Sequence, residues 1–118
     1  EGKRIAVQIG TTGADLAKDI KGAQIKSFNS SAEAFMDLKM NGSDAVILDR
    51  PVIGYFIVKN ARAAKGLAQQ HAVKFDSEYF GFAVKKGNKK VLNALNSALV
   101  SLQKDGTVAK IHKKWFNN

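Results

Sequence analysis

The sequence predicts an α/β fold: a three-layer sandwich in which helices cover a mostly parallel sheet. Three observations predict it. Short segments suited to strands recur at residues 4–9, 24–28 and 45–48. Each is followed by a segment whose apolar residues fall at helical spacing. The third run, Ala45-Val46-Ile47-Leu48, is continuously apolar, as expected of a parallel strand covered on both faces. Alternation of strand and helix in this order is the pattern of a parallel sheet.

Residues 4–9 alternate, with Ile5, Val7 and Ile9 on one side, and read as a buried strand. Gly10-Thr11-Thr12-Gly13 is a turn. Thr11 or Thr12 is suited to cap a helix over residues 14–20, because its side-chain oxygen accepts from an N–H of the first turn. Residues 24–28 form a second strand. Asn29, Ser30 or Ser31 caps the next helix, over residues 32–40, with Ala32, Phe35, Met36 and Met40 at helical spacing. Asn41-Gly42 ends it, since both residues tolerate the left-handed conformation of a helix C-cap. After the strand at 45–48, Arg50-Pro51 opens a helix running to about residue 60, with proline in the first turn, where its missing N–H costs little.

Residues 65–74 are expected to contain a short strand, residues 76–79 a crossover and residues 80–84 a further strand. A helix over residues 90–104 has Val91, Leu92, Leu95, Ala98, Leu99 and Leu102 on its inner face. Asp105 caps a last helix over residues 107–116, which Trp115 and Phe116 dock. At 118 residues the length is that of one domain.

Composition narrows the function. There are no cysteines, which excludes disulfides and thiolate metal sites. No apolar run approaches the ~20 residues needed to span a bilayer. No leader is legible before Glu1, as in a mature, processed or truncated chain. The net charge of +9 is uneven: residues 1–60 are net +1 and residues 61–118 are net +8. Lys85, Lys86, Lys89, Lys90, Lys110, Lys113 and Lys114 supply much of that excess. They read as the solvated face of amphipathic helices, and no nucleic acid is expected as a partner, since no aromatic-rich strand or recognition helix interleaves with them.

Ligands of open parallel sheets sit at the carboxyl ends of strands, and two polar groups are expected there. The Gly10-Thr11-Thr12-Gly13 turn exposes backbone N–H groups suited to an anion, either a phosphate or an α-carboxylate. It lacks the spacing of a dinucleotide site or a P-loop. Asp49 follows the third strand. It either receives an ammonium group through charge-assisted hydrogen bonds or caps the helix at Pro51. An anion cradle and a carboxylate on neighbouring strand ends together fit a zwitterion.

Three motifs in this order carry a family resemblance: Arg4-Ile5-Ala6-Val7-Gln8-Ile9-Gly10-Thr11-Thr12-Gly13, then Asp44-Ala45-Val46-Ile47-Leu48-Asp49-Arg50-Pro51, then the closing run from Asp105 to Phe116. The chain resembles the type II periplasmic polar amino-acid-binding proteins of ABC importers, of which it would form the second part. The resemblance implies that residues 1–79 are the second lobe and that residues 80–118 return into the first. It implies that Gly10, Thr11 and Thr12 contact the ligand α-carboxylate, Thr12 more than Thr11. Asp49 would hold the α-ammonium, and Gln8 and Leu48 would lie near the ligand side chain. Glutamine or a basic amino acid is the implied ligand, and Gln8 and Leu48 depart from the Lys and His that glutamine binders can carry. The arginine that clamps the α-carboxylate and the aromatics that sandwich the ligand would belong to the first lobe, so this chain would hold half a site.

The implied partners are the importer's membrane subunits and, through exchange of the C-terminal segment, a second copy. The implied location is periplasmic or extracellular, with a lipid-anchored precursor. No cofactor and no metal are expected. An enzyme is not expected, since His71 and His112 are the only histidines and no serine sits in a nucleophile elbow. Two other readings stay open: the ligand-binding domain of an amino-acid receptor or sensor, and a stand-alone flavodoxin-like phosphate-binding domain.

Overall fold

The computed structural model describes residues 2–70 and 79–116. The chain divides into two compact units, residues 1–69 and residues 70–118.

The first unit is built on strand β1 (Arg4–Gln8), helix α1 (Thr12–Lys18), strand β2 (Gln24–Phe28), helix α2 (Ser31–Lys39), strand β3 (Ala45–Ile47) and helix α3 (Arg50–Lys59). The strands form a parallel sheet in the order β2-β1-β3, with Ile5 opposite both Ile25 and Ala45, and Val7 opposite both Ser27 and Ile47. From the central β1 the chain crosses to β2 on one side, then from β2 to β3 on the other. Right-handed crossovers in opposite directions put α1 and α2 on opposite faces, which makes three layers. The pleat of β1 serves both: Ile5 and Val7 pack with Ala14 and Ala17 of α1, backed by Ala23, Ile25 and Ile47, while Ala6 faces the other way, toward α2. Phe35 of α2 stacks on Phe56 of α3 with ring centroids 3.9 Å apart.

Local signals explain the helix ends. Ser30 accepts from the Glu33 N–H while Glu33 accepts from the Ser30 N–H, a reciprocal cap at the start of α2. Asn41 takes φ 58°, the left-handed conformation that stops the helix, and the Gly42 N–H reaches back to the Asp37 carbonyl. Ile9, expected as the last buried position of β1, is 57% exposed: it lies one residue past the last pair, with its N–H still bonded to the Phe28 carbonyl at 2.9 Å.

In the second unit, helix α4 (Lys89–Lys104) is capped by Asn88, whose side chain accepts from the Val91 N–H, and helix α5 (Thr107–Phe116) packs against α4. Hydrogen bonding from the Thr107 side chain, and then from the Thr107 N–H at 2.8 Å, lowers the Asp105 pKa. Two expectations are corrected here. Residues 80–84 form no strand; Phe80 and Phe82 are 84% and 68% exposed. An extended segment becomes a strand only by pairing, and no described strand pairs with it. The expected inner face of α4 is present as a stripe, yet no residue of α4 is buried: Leu92 and Leu102 are exposed, and Leu95 and Leu99 are half-buried. Residues 65–70 likewise contain no strand, and residues 71–74, with the expected crossover at 76–78 and His71, lie outside the described residues. So does the side chain of Phe116, while Trp115 is 42% exposed with Lys114 over its ring.

Candidate functional site

The carboxyl ends of the three parallel strands form one rim of the first unit. Parallel pairing fixes this. Val7 and Ile47 are the last pair between β1 and β3, so Gln8 and Leu48 leave that ladder side by side, while Gln8 still pairs with Phe28 of β2. The Gly10-Thr11-Thr12-Gly13 turn follows the first and Asp49 follows the second, on the same rim.

The turn is held there sterically. Gly10 sits at φ +74°, a conformation that side-chain-bearing residues rarely adopt. A Cβ on Gly13 would lie 3.2 Å from both the carbonyl oxygen and Cγ2 of Ile47. Glycine therefore lets the start of α1 rest directly on the end of β3, two residues before Asp49.

Thr11 and Thr12 are not equivalent. The Thr11 hydroxyl donates to the Gln8 carbonyl at 2.9 Å and accepts from the Ala14 N–H at 3.1 Å. Thr11 is the N-cap of α1, and both functions of its hydroxyl are engaged. Thr12 is exposed, and among the described residues the N–H groups of Thr12 and Gly13 find no acceptor.

Asp49 stands at the N-cap position of α3, and its carbonyl accepts from the Ile53 N–H. Its carboxylate makes no capping hydrogen bond. It is half-buried and, among the described residues, has no cation or donor against it. The local need for a cap is eased by Pro51, which has no N–H to satisfy. Gln8 and Leu48 are half-buried, and the Gln8 amide donates to the Asn29 carbonyl at 3.4 Å. The rim thus brings together all six residues singled out from the sequence: Gln8, Gly10, Thr11, Thr12, Leu48 and Asp49.

Two rim residues escaped sequence reasoning. Asn29, at the end of β2, holds the Gln8 side chain, and a strand end beside the cap Ser30 could have signalled it. Gln69 donates to the Arg50 carbonyl at 3.5 Å, which brings the last residue of the first unit to the start of α3. No sequence signal marks that long-range contact. Among the described residues no group of His, Asp and Glu side chains could hold a metal ion, and no helix is long and apolar enough to cross a membrane.

Comparisons with known proteins bear on this geometry. The family model for bacterial extracellular solute-binding proteins, family 3, matches residues 3–118. The chain is similar to the ABC transporter arginine-binding protein 1 of Escherichia coli (strain K12), at 35% identity over 122 residues, covering 98% of this chain and 48% of that protein. It is also similar to the L-cystine-binding protein TcyJ of the same strain, at 28% identity over 117 residues, covering 98% and 42%. Among solved structures it matches an ancestral arginine-binding protein bound to arginine with a TM-score of 0.77 at 36% identity, covering 98% of this chain and 51% of that one. The chain spans about half the length of the curated relatives it matches. Its α/β architecture is that of the type II periplasmic amino-acid-binding proteins. The chain belongs to the bacterial extracellular solute-binding proteins, family 3.

Proposed function

We propose that this chain supplies one lobe of an extracellular amino-acid-binding protein that serves an ABC importer. Its role is binding, not catalysis. The α-ammonium of a polar amino acid docks on Asp49, and its α-carboxylate meets the open N–H groups and hydroxyl at Thr12 and Gly13. One observation carries the reading: among the described residues the Asp49 carboxylate has no partner and the turn at residues 10–13 has N–H groups without acceptors, on the rim where parallel sheets hold ligands. Opposite charges at the two ends of a zwitterion match that pair. Relatives named for arginine and for cystine support an amino-acid ligand.

In this reading residues 80–118 belong to the return into a first lobe, whose remainder lies outside this chain. The exposed stripe of α4 is then covered by that lobe or, when it is absent, by a second copy through exchange of the C-terminal segment. Capture proceeds by closure of the two lobes. This chain alone leaves the ligand partly solvated and screened, with affinity no better than roughly millimolar.

The test is calorimetry with the twenty amino acids on the chain joined to a first-lobe segment. Binding of one or a few polar amino acids, orders of magnitude tighter than to the chain alone, is expected. Absence of binding across the whole panel removes the proposal.

A further inference from the structure

We infer that the lysine face of α5 docks this chain on an anionic lipid surface. The contact lies in the second unit and is independent of amino-acid capture at Asp49. Residues 79–116 carry eight lysines and a single acid, Asp105. All eight lysines are exposed, and among the described residues none forms an ion pair. Asp105 is turned onto the Thr107 N–H at 2.8 Å. Neither α4 nor α5 has an acid in its first turn, and Lys89 and Lys90 open α4. The N-terminus of a helix disfavours cations, so this charge is carried against the helix's own stability. A local rule broken in this way points to a use for the charge.

Along α5 the lysines are sorted from the apolar residues. Lys110, Lys113 and Lys114 stand at i, i+3 and i+4 and share one face. Val108, Ile111 and Trp115 fall on another, also at helical spacing. Cover of the apolar side, by a first lobe or by a second copy, therefore leaves the lysines in water. The residue type selects the partner. The three arginines, Arg4, Arg50 and Arg62, all belong to the first unit, and the second unit's strong bases are lysines alone. Protein interfaces are enriched in arginine and depleted of lysine. A single phosphate or carboxylate in a fixed place is best held by the planar fork of arginine. Lysines on flexible stems suit a diffuse layer of negative charge that imposes no fixed geometry, and lysine clusters on amphipathic helices are attracted to anionic headgroups. The face therefore fits a charged bilayer better than an acidic protein.

The experiment is co-sedimentation of the 118-residue chain with lipid vesicles at low salt. One set is phosphatidylcholine alone, and in the other about a third of the lipid is phosphatidylglycerol. Binding to the anionic set should be stronger by about tenfold or more, and should vanish toward ~1 M salt, where charges are screened beyond ~3 Å. Lys110→Gln, Lys113→Gln and Lys114→Gln together should weaken it by about tenfold or more. Arginine at the same three positions should preserve it, which separates loss of charge from loss of folding. Lys3→Gln, Lys21→Gln and Lys65→Gln together remove the same charge from the first unit and should cost less than about threefold. Equal losses in the two glutamine variants overturn the inference, since net charge and not the α5 face would then be felt. Equal binding to both vesicle sets, binding that survives ~1 M salt, or loss of binding in the arginine variant also overturns it. So does a chain that ignores both sets, which leaves the lysine face to an acidic protein.

Discussion

Asp44 and Asp49 flank the same short strand, one at each end, and the structure treats them oppositely. Asp44 faces Arg4 across the amino-end rim and accepts from its backbone N–H at 2.8 Å, from Nε at 3.2 Å and from Nη2 at 2.9 Å. Those bonds hold the Asp44 carboxyl well below the usual carboxylate range. At the carboxyl-end rim, the equivalent ends of β1 and β3 set Asp49 by a glycine turn, and no cation among the described residues pairs with it. The difference lies in the neighbouring strand end. A parallel neighbour that brings arginine turns a strand-end acid into a structural clasp, and one that brings a turn with free N–H groups leaves the acid available for a ligand.

The largest test of that contrast removes the free acid. With a first-lobe segment supplied, Asp49→Ala should cost about 2–5 kcal/mol of amino-acid affinity, since a buried ammonium loses its partner. Its melting temperature should hardly move, because the carboxylate caps nothing. Calorimetry and thermal melts on one variant check both halves, and a large stability loss without a loss of affinity would make Asp49 a second clasp.

The contact that sets the turn on β3 comes next. Gly13→Val should cost about 1–3 kcal/mol in urea denaturation, since its Cβ meets the Ile47 backbone, which cannot yield as a side-chain tip can. Unchanged stability would mean that α1 moves freely over the strand end.

Thr11 and Thr12 divide the same turn. Thr11→Ala should lower stability by about 1 kcal/mol through loss of the cap. Thr12→Ala should leave stability nearly unchanged and weaken ligand binding. The reverse assignment would show that Thr11 releases its two bonds for the ligand.

The smallest effect belongs to the clasp, because exposed ion pairs add little. Asp44 has a folded pKa below its unfolded value, so its contribution is present above about pH 3.9 and is lost as pH falls through the folded value. Between pH 6 and pH 2 the wild type should therefore lose slightly more melting temperature than Asp44→Asn. Parallel curves would show that Arg4 does not engage Asp44 in solution.

Much of the fold was legible because its signals are local. The strand Gln24–Phe28 and the helix Thr107–Phe116 stand where the sequence put them, one from its short run and turns, the other from Asp105 ahead of an amphipathic stretch. The helix stop at Asn41 was readable from the two residues that tolerate it. The shared rim was readable too, since a parallel sheet forces strand ends together. The failures have one cause. Residues 80–84 carry strand composition without a described partner, and the α4 stripe has helical spacing but, with only α5 described against it, no buried residue.

What the sequence determined alone is whatever a few neighbouring residues decide through backbone conformation and periodicity: the class of fold, the caps and turns, and which residues stand at strand ends. Only the tertiary structure decided how each polar group is used. It paired Asp44 with a residue forty positions away and, among the described residues, left Asp49 unpaired. It turned the Gln8 amide onto Asn29 and laid Gly13 on Ile47. A hydrogen bond or a close contact depends on which distant residues the packed sheet brings within a few ångströms, and that information is absent from any short stretch of the chain.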